Sequence, residues 1–237
     1  MTTTTIDVRR ARHRFHTDLG WLDSWHSFSF GGHYDPDNTH HGLLMVSNDD
    51  RVAAGGGFPA HAHRDMEIVT WVLEGQLQHG DTLGNRDIIY PGLAQRMSAG
   101  RGIQHSEMNA SGDDPVHFVQ MWVPPDTNGI DAGYEQVDVR SQLDANELFP
   151  IASGHGHDGA VRIHQRGAAL WGGRLTDGRS GEVPDRPHAH VFVARGSARL
   201  EPDIDLSEGD AVRLTAAGAR LVVANEGGAE LLIWATD

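Results

Sequence analysis

The feature that most constrains this chain is how often its apolar runs are interrupted. Long helical periodicity is nearly absent over the 237 residues, and short β-branched and aromatic runs recur instead at 42–47, 66–73, 87–90, 116–123, 191–194, 211–214, 219–223 and 229–234. Runs such as MEIVTWVL and AELLIW are too short for a stable helix and have the composition of strands. The 29 glycines and 10 prolines are scattered between them without a repeat. Many short strands separated by turn signals predict an all-β sandwich or barrel. Two arcs, 55–123 and 181–234, follow the same order: H-x-H, strand, small Gly turn, strand, Gly-centred turn and a final apolar strand. A repeated barrel unit is the simplest account. The loop-like stretches 124–133 and 153–159 separate the arcs. We expect a division near residue 141, giving units 1–141 and 142–237.

Composition narrows the chemistry. Nineteen basic residues, all arginine, face 33 acidic ones, for a formal charge of −14. Phosphate contacts need clustered positive charge, so neither nucleic acid nor an anionic membrane is an expected direct partner. The sequence has no cysteine and no lysine, which excludes disulfides, thiolate ligands, cysteine nucleophiles and lysine Schiff bases. No apolar run approaches the roughly 18 residues of a membrane span. The start, MTTTTIDVRRAR, lacks the apolar core of a secretory leader, and a cytoplasmic location is expected. Sixteen histidines against three tyrosines ask for an explanation.

Two triplets supply one: His61-Ala62-His63 and His105-Ser106-Glu107. Side chains at i and i+2 of a strand share a face, so two such strands facing into a barrel offer three imidazoles and a carboxylate. That N/O donor set suits Fe(II), Mn(II), Ni(II) or Cu(II), with Zn also admissible, in a site with open positions. A cysteine-rich structural zinc site cannot form. H-x-H by itself is a weak signal. Here Gly55 precedes His61 and Glu67 follows His63 by four, while Pro91-Gly92 and Gly102 precede His105 and Asn109 follows it by four. With small spacing variations these are the two cupin motifs, G-x5-H-x-H-x3-E and P-x-G…H-x3-N.

Within the cupins the chain resembles the pirin family, in particular the short bacterial pirin-like proteins. The matching segments are 61–74 (HAHRDMEIVTWVLE), 91–109 (PGLAQRMSAGRGIQHSEMN) and 25–34 (WHSFSFGGHY) with Asp35-Pro36. The resemblance is strong over about residues 20–125 and looser over the second arc. It implies a bicupin, two stacked cupin (double-stranded β-helix, jelly-roll) barrels, with one metal, iron, in the N-terminal barrel. It also implies quercetin 2,3-dioxygenase activity for some members and co-regulator or enzyme-modulator roles for others. Strand parity leaves both Glu67 and Glu107 facing inward as the fourth ligand. The resemblance favours Glu107, giving His61, His63, His105 and Glu107, with Glu67 in reserve.

The second arc departs from the pattern. His188-Ala189-His190 imitates the first motif, but no histidine follows His190, so a degenerate barrel without its own metal is expected. His40, His41, His155 and His157 are expected in solvated loops. His26 and His33, flanking Phe28, Phe30 and Tyr34, are expected to serve core packing. Arg64-Asp65 forms either a surface pair or a contact that orients a ligand. Nothing is assigned to His79 and His117.

The resulting expectation is Fe(II)-dependent opening of a flavonol-like aromatic by O₂. Glu107 would be general base, with apolar residues among Met66, Ile68, Phe118 and Met121 excluding water. The alternative is a redox-sensing regulatory protein, in which the metal alters a surface that docks on a protein partner without turnover. A metal-dependent isomerase is a third reading, since fold does not dictate reaction.

Overall fold

Strands whose two faces are both apolar must be covered on both sides, and that requirement organises the molecule. The structure, a computed structural model, describes residues 3–237; Met1 and Thr2, the first residues of the stretch read for a leader, lie outside the described residues. Residues 66–73 prove to belong to the strand Glu67–Glu74, in which every residue but the last is buried. Ile68 and Val72 point into the first barrel, whereas Val69, Trp71 and Leu73 join the layer between the two barrels.

The first barrel closes a seven-stranded sheet over a four-stranded one. The larger sheet runs, in spatial order, Gly133–Asp138, Leu93–Ser98, Glu67–Glu74, Val116–Val123, Val46–Val52, Leu22–His26 and Phe15–Asp18. The smaller runs Gly57–His63, Ile103–Asn109, Leu77–Asp81 and Arg86–Ile89. The second barrel is a nine-stranded sheet built on His188–Leu200 and Arg220–Thr236. Its interior is aliphatic, with Val191, Val193, Leu200, Val212, Leu231 and Ile233 all buried. The chain is thus a bicupin, as the motif pattern predicts. The helical elements among the described residues are the short turns Ala11–His13 and Arg140–Leu143.

Three local departures from the sequence reading have physical causes. The runs 219–223 and 229–234 form one strand, Arg220–Thr236, because Gly227 and Gly228 adopt φ of 89° and 82° and let the chain pass through an irregularity instead of turning. Residues 42–45 form a turn closed by a bridge between His41 and Leu44, and the strand begins only at Val46. The N-terminal strand Thr5–Arg9 pairs with Ala211–Thr215, so the chain starts on the second barrel before building the first.

The layer between the barrels is a continuous apolar core. Val69, Trp71, Val119 and Met121 of the first barrel pack with Ile151, Leu170, Phe192, Leu232 and Trp234 of the second. Polar links also join the barrels, among them the Trp71 indole N–H, which donates to Glu230 Oε1 at 2.8 Å while Arg174 pairs with the other oxygen at 2.8 Å. No helix among the described residues is long and apolar enough to cross a membrane.

Candidate metal centre

Antiparallel pairing places His105 directly opposite His61, and Ile103 opposite His63. Residues in direct register on one face of a ladder have adjacent side chains. The ring centroids accordingly lie 4.5 Å (His61–His105), 4.8 Å (His61–His63) and 4.9 Å (His63–His105) apart. One nitrogen from each ring falls within 4.8 Å of the other two. The register then shifts between His105 and Glu107, so that Glu107 faces Phe58. Such a bulge re-aims the side chains beyond it. Gly57 permits this close approach: a Cβ there would lie 2.6 Å from the Glu107 carbonyl oxygen.

His63 and His105 are held as neutral imidazoles. Burial, reinforced by the neighbouring imidazoles, pushes His63 down to about 4 and His105 to about 3. His61 Nδ1–H donates to the Pro59 carbonyl at 2.8 Å, which leaves Nε2 as the nitrogen with the free lone pair. His63 Nε2 and both nitrogens of His105 are buried without a partner. Unpartnered buried nitrogens on two of three converging rings, with the third ring's Nε2 not used by its Pro59 bond, are what a cation-binding site presents, so the residues fit a divalent metal.

Glu107 is buried on the same strand as His105. Both its oxygens accept from Gln120 Nε2, at 2.7 and 2.8 Å, and Gln120 Oε1 in turn accepts from Trp122 Nε1 at 3.0 Å. Glu67 is elsewhere, which corrects the parity argument. Its carboxylate accepts from Ser98 Oγ at 2.8 Å and from the His164 backbone N–H at 3.1 Å, on the face turned towards the second barrel. The register alternates as expected, but the face carrying Glu67 is the outer one.

His61, His63 and Glu107 open into a pocket of about 410 Å³, within the range that takes a small organic ligand. Its apolar walls are Phe30, Phe58, Trp122 and Leu22, not Met66, Ile68, Phe118 or Met121. Those four pack into the cores within and between the barrels. A polar end is formed by His26, Asn48, Asp50, Ser24 and Thr17. His26 is therefore a pocket wall as well as a buried residue, held between Asn48 Oδ1 at 2.9 Å and Thr17 Oγ1 at 3.0 Å. Asp50, which sequence reasoning missed, is pushed up to about 7 by burial, with the charges of Asp49 and Glu107 adding to the effect. The signal available for it was five consecutive polar residues, Ser47-Asn48-Asp49-Asp50-Arg51, inside a strand. Gln120 was likewise visible as the polar residue in VHFVQMWV.

The remaining assignments resolve individually. Asn109 is structural: its side-chain amide donates to the carbonyls of Val52, Ala53 and Asp114. Arg64–Asp65 is a surface pair, and Asp65 also accepts from the Gly129 N–H at 2.6 Å. His79 pairs with Asp81 at 3.1 Å and His117 with Asp49 at 2.6 Å, all four with buried side chains. His41 and His157 are not solvated: His41 bonds the Leu214 carbonyl at 3.0 Å, and His157 bonds Ser153 Oγ at 2.7 Å and packs on Trp171. His188 and His190 face the first barrel, where His188 meets His41 and His190 meets Phe28. The intervening Ala189 and the following Val191 fill the second barrel's interior.

Among the described residues the imidazole cluster lies in the first of two cupin barrels, and the fold is that of a bicupin. The family model described as pirin matches residues 6–123, and that of the quercetinase C-terminal cupin domain matches residues 150–234. A Mycobacterium tuberculosis (strain H37Rv) protein named "Putative quercetin 2,3-dioxygenase" is 56% identical, covering 98% of this chain and 95% of its own. An Escherichia coli K12 protein named quercetin 2,3-dioxygenase is 45% identical over 68% of each chain. The crystal structure of E. coli YhhW superposes with a TM-score of 0.91 at 34% identity, covering 98% of both chains. A nickel(II) complex of the same bacterial pirin gives 0.89 at 34% identity, covering 98% of this chain and 99% of that one. The chain belongs to the pirin family.

Proposed function

We propose that this pirin is a flavonol 2,3-dioxygenase whose Fe(II) is held by His61, His63, His105 and Glu107. The observation that carries the reading is the set of dry, unpartnered imidazole nitrogens at the wall of an aromatic-lined pocket. The names of the E. coli and mycobacterial relatives support the same substrate class, and the nickel(II) complex of E. coli YhhW supports a divalent metal.

When bound, the metal would supply Lewis acidity and dioxygen activation to a substrate chelated through its 3-hydroxyl. The protein's own groups do the rest. Phe30, Phe58 and Trp122 offer flat apolar surface to a fused aromatic ring and exclude water from the reacting centre. Glu107 is the base for the 3-hydroxyl proton, and the amide donors of Gln120 hold its carboxylate in orientation. Asp50 is balanced between its acid and its carboxylate near neutrality, so it can accept or donate a hydrogen bond to a substrate hydroxyl at the polar end of the pocket. Each turnover would take up one O₂, break both the C2–C3 and C3–C4 bonds and release C3 as one carbon monoxide, with the two oxygen atoms of O₂ retained on C2 and C4.

The test is O₂ uptake with quercetin by protein loaded anaerobically with Fe(II), with His105→Ala as control. Uptake that requires His105 supports the assignment. One bound iron without uptake defeats it and leaves the redox-sensing, partner-binding role in its place.

A further inference from the structure

A second cavity, about 160 Å³, lies at the seam between the barrels and has the opposite charge character from the chain as a whole. Four arginines reach its wall in a protein of net charge −14: Arg9, Arg10 and Arg14 from the N-terminal segment and Arg213 from the second barrel. Three are balanced, Arg9 by Asp7 at 2.7 Å, Arg10 by Asp210 at 2.7 Å and Arg14 by Asp49 at 3.0 Å. Arg213 has no carboxylate within ion-pair distance among the described residues, although Asp7 stands opposite it in the strand register.

Arg213 is only 6% exposed. Its donors reach two neutral acceptors, the Ser27 carbonyl at 2.8 Å and Asn38 Oδ1 at 2.6 Å, and its guanidinium lies 4.4 Å from the Phe28 ring centre. Burial and the charge of Arg9 push it down to about 10, so it remains a cation at neutral pH. A buried cation without a counter-charge is unfavourable, and cation–π contact compensates it only in part. Residues that line the same cavity carry several orphaned polar atoms. Arg213 Nε, Arg14 Nε and Nη1, the Ser27 hydroxyl and His190 Nε2 are all buried without partners. Ser27 is 8% exposed and His190 2%. Burial keeps His190 neutral, so that its ring adds no charge to the cavity. The wall therefore offers an excess of donors and one unbalanced positive charge.

We propose that this cavity binds one small oxyanion, a phosphate or carboxylate group, received by Arg213 and the Ser27 hydroxyl. The volume accommodates several waters or one such group. Ser27 and Asn38 belong to the first barrel's aromatic stretch and Arg213 to the second barrel's sheet, so the bound anion ties the two together. It does so independently of the metal pocket and of any reaction there. Inorganic phosphate and acetate are the probes, because tetrahedral and planar oxyanions share this chemistry but differ in shape.

The experiment is isothermal titration of the full chain with each probe at constant ionic strength, together with thermal melting in chloride, phosphate and acetate. One equivalent of phosphate or acetate binds, and the melting midpoint rises saturably at millimolar concentration. Both responses are lost in Arg213→Met and weakened at least several-fold in Ser27→Ala. Because the charge is unbalanced without the anion, Arg213→Met in chloride alone melts no lower than the native chain. A response to phosphate only, or to acetate only, supports the site and selects the shape. An equal rise in chloride, heat that survives Arg213→Met, or no heat with either probe overturns the proposal. Should Arg213→Met fail to fold, the unbalanced-charge argument is refuted, and undiminished binding by Ser27→Ala refutes the hydroxyl's role.

Discussion

Replacing Gln120 with leucine removes the contact that holds Glu107. One amide nitrogen serves both carboxylate oxygens at 2.7 and 2.8 Å, with Gln120 8% and Glu107 3% exposed on the pocket wall, so the bond is largely shielded from bulk water. A hydrogen bond to a buried charged group contributes about 1.5–3 kcal/mol. In a chain of this length each kcal/mol moves the melting midpoint by about 2–4 °C. The metal-free variant is therefore expected to melt roughly 3–12 °C lower by calorimetry. Leucine preserves most of the volume, so the loss reports the stranded carboxylate together with the Trp122 indole N–H that loses its Gln120 acceptor, and not a cavity. If Glu107 is a metal ligand, a bound divalent ion supplies the missing positive partner, and loading with Ni(II) or Fe(II) should recover more than half of the difference. An equal loss with and without metal would refute the link to Glu107. No loss in the metal-free protein would refute the strength assigned to the bond.

Three further outcomes follow from the geometry. Trp71→Phe removes the indole bond to Glu230 while Arg174 still holds that carboxylate, so a loss of about 1–2 kcal/mol is expected in urea unfolding; a neutral result would mean that the crossing bond adds nothing to barrel docking. Gly57→Ala places a Cβ 2.6 Å from the Glu107 carbonyl and from the Met108 Cα. The backbone must give, costing about 1–3 kcal/mol and weakening metal binding by calorimetric titration, whereas a variant with native affinity would show that the close approach is dispensable. His41 is pushed down to about 4, chiefly by burial, from an ordinary value of 6.5. The unfolded chain then takes up its proton first, so the neutral ring's contribution is intact above pH 6.5 and is lost as pH falls from 6.5 through about 4. His41→Gln keeps a donor for the Leu214 carbonyl and should flatten the urea midpoint over that window; a profile of unchanged slope would contradict the assignment.

Much of the first barrel was legible because its signals are local. The strand Val116–Val123 has the bounds of its apolar run, and the H-x-H and H-x-E triplets share a strand face through the two-residue period alone. The pocket's aromatic walls were not legible. Phe30, Phe58 and Trp122 come from three segments distant in sequence, and no periodicity links them. Asp50 and Gln120 escaped for a related reason. A polar residue inside a strand is unremarkable until its surroundings are known to be dry.

The sequence by itself determined that the chain is two antiparallel barrels, that His61 and His63 stand together, and that His105 and Glu107 do too. A repeat of two says which residues share a face but not which face is inside. That was decided only when the barrels closed and stacked. Closure turned His61, His63 and His105 inward against one another, while the same H-x-H pattern at His188 and His190 was turned outward onto Phe28 and His41. Stacking likewise committed Glu67 to the layer between the barrels, and the irregularity after His105 directed Glu107 to Gln120. Long-range pairing, burial and one bulge distinguish these identical local patterns, since each depends on what covers the strand and not on the strand itself.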